Sequence, residues 1–201
     1  TECEIKPKSC TFCFVSCNRK TTVKSGRHKG LKLDGPEYET IGAFGGLNMV
    51  DDIKEIAYLN DLCDRVGIDT ITAGNVTAFA IEASRRGKIE FKVNFGEVDR
   101  IAELIRMIAY RQGIGDLLAE GVRQAAKELD LEDIAVHVKG LELPAFDPRY
   151  LKGMGLGYAI SDRGGCHLRT TFYKPELSGL IAPEQIKGKA AMLLEYEDRL
   201  T

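Results

Sequence analysis

The sequence predicts a mainly α, multihelical fold with a few short strands and a long Gly/Pro-rich loop region. Three observations carry this. Apolar residues recur at helical spacing in five stretches after residue 50. Capping residues stand ahead of several stretches and glycines behind them. Extended runs are few and short, which leaves little material for a large sheet.

Residues 1–35 read as loop, with a turn at Val23-Lys24-Ser25-Gly26 able to close a hairpin. Asp51-Asp52 opens a strong helix whose Ile53, Ile56, Ala57, Asn60, Cys63 and Val66 share helical spacing, and Gly67 stops it. Asp69-Thr70 caps a second helix running to about Arg86. Ile89 to Val93 reads as extended. A third helix carries Val98, Ile101, Leu104, Ile105 and Ile108 and stops near Gly113. A fourth opens at Asp116 and carries Leu117, Val122, Ala125, Ala126 and Leu129, and Ile134 to Val138 is extended again. Residues 140–170 read mostly as loop. A last helix begins at Pro183 and spans Glu184 to Leu200.

The chain has 201 residues, enough for one sizeable core or two small ones. A formal net charge of −2 gives no whole-chain pull toward nucleic acid or an anionic membrane. There is no apolar run of spanning length and no signal peptide, so a cytoplasmic location is expected. Six cysteines in a chain of this length fit reduced thiols and metal binding better than a disulfide framework. The sequence starts at Thr1 and ends at Leu200-Thr201 inside a helical pattern. It is therefore expected to be a piece of a longer protein.

Four places carry candidate chemistry. Cys10, Cys13 and Cys17 form C-x2-C-x3-C within SCTFCFVSC, three thiols on one short loop. That spacing suits an iron–sulfur cluster. Structural zinc and ordinary buried thiols remain open, and a second C-x2-C pair is absent. In Asp64-Arg65-Val66-Gly67-Ile68-Asp69-Thr70, two carboxylates flank a glycine between helices. They can accept hydrogen bonds from a heterocycle's N–H groups, or be surface charge and a helix cap. Glu37 and Glu39 lie in a Pro-Gly turn ahead of an apolar run, as a general acid/base or as solvated charge. His167 lies in SDRGGCHLR among Asp and Arg partners, suited to proton transfer near neutral pH. His28 and His137 are weaker candidates, and Cys63 belongs to a core face. Gly153, Gly155 and Gly157 follow no predicted strand and are no dinucleotide fingerprint. Arg19 to Lys32 holds six basic residues and no acid, which makes a solvated loop or a surface steering an acidic electron carrier.

Taken in order, the cysteine loop, GPEYETIGAFGG, DRVGIDT with TAGNVTAFAIE, KGLELPAFDPR and GMGLGYAISDRGGCHLR resemble the aldehyde:ferredoxin oxidoreductase family over nearly the whole chain. The resemblance implies tungsten (or molybdenum) held by a bis-pyranopterin, one [4Fe–4S] cluster, and aldehyde oxidation with ferredoxin as electron acceptor. It implies that Cys10, Cys13 and Cys17 are three cluster ligands. Asp64, Gly67 and Asp69 fall in a pterin-contacting D-x-x-G-L-(C/D) motif, here with Ile68 in place of Leu, and Thr70 directly after it completes the implied cofactor-binding set. Glu39 matches an acid near the metal, and His167 matches a proton-transfer histidine.

The resemblance also implies a β-rich first domain ahead of Thr1 and a fourth cluster ligand beyond residue 201. This chain would then be mostly the second domain, inactive by itself. A homo-oligomer is a further expectation, without an E-x-x-H interface metal site. Three rivals stand. One is a relative acting on an aldehyde phosphate, a hydroxycarboxylate or an aromatic thioester. The second is a non-catalytic electron-transfer subunit. The third is a zinc-stabilised helical interaction domain.

Overall fold

The computed structural model describes residues 2–199, which divide into two units meeting at Ala135 and Val136. Nine α-helices and five short strands are present among the described residues, as the predicted class requires.

The first unit opens with a three-stranded antiparallel sheet, β1 (Cys3–Lys8), β2 (Asn18–Val23) and β3 (Lys32–Asp34), in the order β1-β2-β3. This corrects the loop expected over residues 1–35. The register runs from Cys3 opposite Val23 to Lys8 opposite Asn18. The hairpin turn predicted after Val23 exists with a longer connection, closed by Val23 N–H to Leu31 O at 2.9 Å. Val23 and Leu33 pack on Ala57 of the following helix, and this contact holds the sheet to the helical body.

A helical turn, α1 (Tyr38–Thr40), passes into wide π-helical turns over Ile41–Leu47 that the sequence reading missed. Then come α2 (Ile53–Val66) and α3 (Thr70–Arg85) with the predicted signals in place. Asp52 accepts the Lys54 N–H, Gly67 is left-handed at φ 72°, and Asp69 accepts the Thr72 N–H. Ile89 to Val93 is not a strand, because no described residue pairs with it. Ile89 and Val93 are buried as anchors, while Arg100 lies over the Phe91 ring and bonds the Lys92 carbonyl. α4 (Val98–Ala109) is amphipathic as expected. The fourth predicted helix is two, α5 (Ile114–Leu118) and α6 (Val122–Leu129), separated at Gly121. Two joined cores result. Phe44, Ile56, Leu59, Cys63, Ile81 and Ile105 make one. Val76, Phe79, Leu104, Leu118 and Ala126 belong to the other.

The second unit begins with the two-residue strands β4 (His137–Val138) and β5 (Leu141–Glu142). Inside the stretch expected to be mostly loop lies α7 (Lys152–Ile160), followed by α8 (Tyr173–Leu177) and α9 (Lys189–Asp198). The last helix starts at Lys189 rather than Glu184, and the expected end at Leu200 lies outside the described residues. The glycines of α7 allow close packing. An added Cβ on Gly153 would sit 2.1 Å from the Phe172 ring. Phe146, Met154, Tyr158, Phe172 and Leu193 form this unit's core.

Candidate functional site

The three motif thiols sit on the loop joining β1 to β2. Its ends are fixed by the Lys8–Asn18 pair, and a turn forms where Cys13 N–H meets Cys10 O at 3.0 Å. All three cysteines are free; Cys10 and Cys17 are exposed and Cys13 is half-buried. Phe12 and Phe14 beside them project fully into solvent. Among the described residues, no three His, Cys, Asp or Glu side chains gather closely enough to hold a metal ion. The thiols therefore share a loop without converging on one point. The donor set, three thiols on one tethered loop, still fits a thiolate-held cluster in chemistry.

The acid-bearing turn follows β3. Gly35 is buried against Asn60 of α2, where an added Cβ would lie 2.9 Å from Asn60 Oδ1. Asn60 in turn donates to Asp64 Oδ2 at 2.8 Å. Burial, then the neighbouring Asp61, pushes the Asp64 carboxyl above its ordinary range; the Asn60 bond works against this and Asp34 adds to it. Asp64 thus has an ordered acceptor oxygen at the end of α2, which can receive an N–H donor. Gly67 and Asp69 are exposed at the next turn, where Asp69 caps α3.

Glu39 is half-buried on α1, with its Oε1 shut off from solvent. Its charge, after burial, helps push the Tyr38 phenol up. The next residue, Thr40, places its hydroxyl 2.9 Å from that of Thr70 at the start of α3. The structure therefore brings the Glu39 turn and the Asp69-Thr70 turn together within the first unit. Sequence reasoning missed the residues that hold them. Asn48 and Thr77, both fully buried, tie the π-helical turns to α3. Their only sequence signal was a polar residue among apolar neighbours.

His167 lies in the second unit, half-buried, with its ring 5.7 Å from that of Phe146. Phe146 stacks on Tyr173 at 3.9 Å, and Tyr158 OH donates to the Phe146 carbonyl at 3.0 Å. The turn leading to His167 presses on the β4–β5 hairpin. Gly164 has φ 99°, and a Cβ there would lie 2.2 Å from Val138 O. Only glycine fits that approach. Cys166 is buried beside it.

The basic stretch is less free than its sequence implies. Lys24 pairs with Glu4, and Arg27 pairs with both Glu55 and Asp99. His28 stacks on Tyr58 at 4.4 Å and meets Glu55 Oε2 at 2.9 Å, a role within the fold. Among the described residues, Lys20, Lys29 and Lys32 are the exposed lysines of this stretch with no carboxylate within ion-pair distance.

The chain is similar to several known proteins. The chain is 34% identical over 205 residues to the tungsten-containing aldehyde ferredoxin oxidoreductase of Pyrococcus furiosus, covering 96% of this chain and 33% of that protein. It is 35% identical to the enzyme of the same description from Thermococcus kodakarensis, with the same coverage. An aliphatic sulfonate oxidoreductase, WOR-like subunit, of Pyrococcus furiosus is 36% identical over 174 residues, covering 79% of this chain and 27% of that one. The chain thus spans about a third of the length of the curated relatives it matches. In fold it is similar to a chain in the active site complex of benzoyl coenzyme A reductase, with a TM-score of 0.65 at 20% identity over 94% of this chain and 31% of that one. The family model described as aldehyde ferredoxin oxidoreductase, domains 2 & 3, matches residues 1–201, and the chain belongs to that family.

Proposed function

We propose that this chain is the helical part, mostly the second domain, of an oxidoreductase that converts aldehydes to carboxylic acids and delivers the electrons to ferredoxin. The observation that carries the reading is the family match over residues 1–201, which takes in the three free thiols on their strand-anchored loop.

Cys10, Cys13 and Cys17 would hold a [4Fe–4S] cluster, with a fourth ligand from the remainder of the parent protein. Asp64 and Asp69, with Gly67 and Thr70, would receive the N–H groups of one pterin of a tungsten (or molybdenum) bis-pyranopterin. When bound, such a metal centre accepts the two electrons and the cluster passes them on singly.

The reaction, RCHO + H2O → RCOOH + 2 H+ + 2 e−, leaves two protons for the protein to move. Glu39, screened from water on one oxygen, is the group to take a proton from the attacking water. His167, its ring set against Phe146, is the group to carry a proton outward. A cytoplasmic location belongs to this reading; no helix among the described residues is long and apolar enough to cross a membrane. The parent would work with its other domains, as a homo-oligomer or alone.

The test is made on the full-length parent, purified without oxygen. Iron near four and tungsten or molybdenum near one per chain, roughly, is the expected content. Glu39→Gln or His167→Asn should lower turnover about a hundredfold or more at unchanged metal content. Zinc alone, which gives no visible absorption, would reject the reading in favour of a helical interaction domain. Iron without tungsten or molybdenum would favour a non-catalytic electron-transfer subunit. The isolated chain should not turn over.

A further inference from the structure

The π-helical turns after Glu39 are held by a buried polar zipper against α3, and its placement gives it a role. Thr70, Gly74 and Thr77 stand at i, i+4 and i+7 and so share one face of α3. Opposite them, in order, are Thr40, Ala43 and Asn48. The Thr40 and Thr70 hydroxyls are 2.9 Å apart. At Gly74 the backbones touch: an added Cβ would lie 2.4 Å from Ala43 Cβ and 3.1 Å from its carbonyl carbon. Asn48 Nδ2 donates to the Ala43 and Gly74 carbonyls, each at 2.8 Å, and Thr77 Oγ1 lies 3.0 Å from Asn48 Oδ1. The Asn48 backbone N–H also reaches Ala43 O, at 3.2 Å.

Three physical points separate this zipper from ordinary packing. Apolar side chains would fill such a helix contact without the need to satisfy each polar atom, so the network specifies a position rather than adding bulk stability. π-helical turns are rare and concentrate at functional sites, because they re-aim the residues beside them. The zipper's first tooth, Thr40–Thr70, also joins the residues immediately after Glu39 and Asp69. It therefore fixes the candidate acid relative to the candidate cofactor-binding turn.

We propose that Thr40, Gly74, Asn48 and Thr77 are positioning residues that gauge the place of Glu39 relative to the Asp69 turn. This rests on the acid role given to Glu39 above. The residues touch neither substrate nor cofactor and act through Glu39.

The experiment uses the full-length parent enzyme with its metals. Thr40→Val keeps the side-chain shape and removes the hydroxyl, Thr40→Ser returns it, and Gly74→Ala pushes α3 away from Ala43. Glu39→Gln is the control. Thr40→Val and Gly74→Ala should lower kcat about tenfold or more with KM nearly unchanged. They should also displace the acidic limb of the pH–rate profile, at wild-type metal content. Thr40→Ser should restore both. Hydrogen exchange at the amides of Ile41–Leu47 should rise in the two impaired variants before any cofactor is considered.

Wild-type kcat and pH profile in Thr40→Val and Gly74→Ala, with Glu39→Gln impaired, overturn the gauge and leave the acid role standing. An unimpaired Glu39→Gln overturns the acid role and the gauge with it. Lowered melting temperature without a change in kcat or pH profile also overturns the gauge.

Discussion

Lys189→Met is the sharpest perturbation of the second unit. Glu176 and Lys189 form an ion pair with side-chain exposures of 0% and 8%. The same Glu176 oxygen accepts the Gly153 N–H at 2.8 Å, and the Lys189 ammonium also donates to Pro183 O at 3.0 Å and Ala182 O at 3.3 Å. Methionine keeps the unbranched stem beside the Phe172 ring and removes only the charged head. The variant strands a buried carboxylate and two carbonyls, for which the expected cost is about 3–5 kcal/mol. Local opening of α7, whose Gly153 rests on Glu176, should become easier by that amount. Hydrogen exchange read by mass spectrometry should then show protection at α7 amides falling by about a hundred- to several-thousand-fold. Adding Glu176→Gln to Lys189→Met should recover at least half of the loss, because the stranded charge is gone. A single variant within about 1 kcal/mol of wild type, or a double variant no better than the single, would refute the reasoning.

Three further outcomes are expected. The Arg27 guanidinium, opposed by burial, holds the Glu55 carboxyl below its ordinary 4.5. Its stabilisation is complete above that value and is lost as pH falls through the folded one. Glu55→Gln should therefore flatten the acid limb of the stability profile below about pH 4.5, and an unaltered limb counts against the linkage. In metal-free protein, iodoacetamide at pH 8 should alkylate Cys10, Cys13 and Cys17 well before Cys63, whose thiol burial pushes up to about 12. Prior cluster loading should protect the three, and equal labelling with and without iron removes them as ligands. Lys20→Gln, Lys29→Gln and Lys32→Gln together should slow reduction of ferredoxin but not of a small dye, and flatten its salt dependence. Equal slowing of both acceptors dismisses a docking role.

The helices with local signals were legible. Asp52, Gly67 and Asp69 each sit at the cap their chemistry predicts, and the apolar faces of α2 and α4 are the buried ones. The rest was set by partners distant in sequence. β1 reads as loop because its alternation is weak and most of it stays exposed; it is a strand only through pairing with β2. Ile41–Leu47 holds three glycines, yet it is helical because Gly74 lets α3 reach it and Asn48 takes up its carbonyl. The α7 glycines likewise read as loop, since Phe172 and Thr170, which press on them, follow later in the chain. In the candidate site, single residues such as Glu39 and Asp64 stood out by neighbouring words. The Thr40–Thr70 link and the pairing of Arg27 with Glu55 depend on side chains about thirty residues apart, and no local pattern encodes them.

The strand-anchored cysteine loop bears on how a metal would enter. In small zinc domains, binding supplies the free energy of folding, because no site exists beforehand. Here the pairing of Lys8 with Asn18 has already brought the two ends of the loop together. Among the described residues, the hydrophobic cores draw no side chain from residues 9–17. Within this chain, metal uptake would therefore order one short tethered segment, at the small entropic cost of closing a loop of roughly ten residues. Release of the metal would be as local. The body of the chain should keep its fold through repeated loading and loss, and repair of an oxidatively damaged centre would not require refolding this part of the protein.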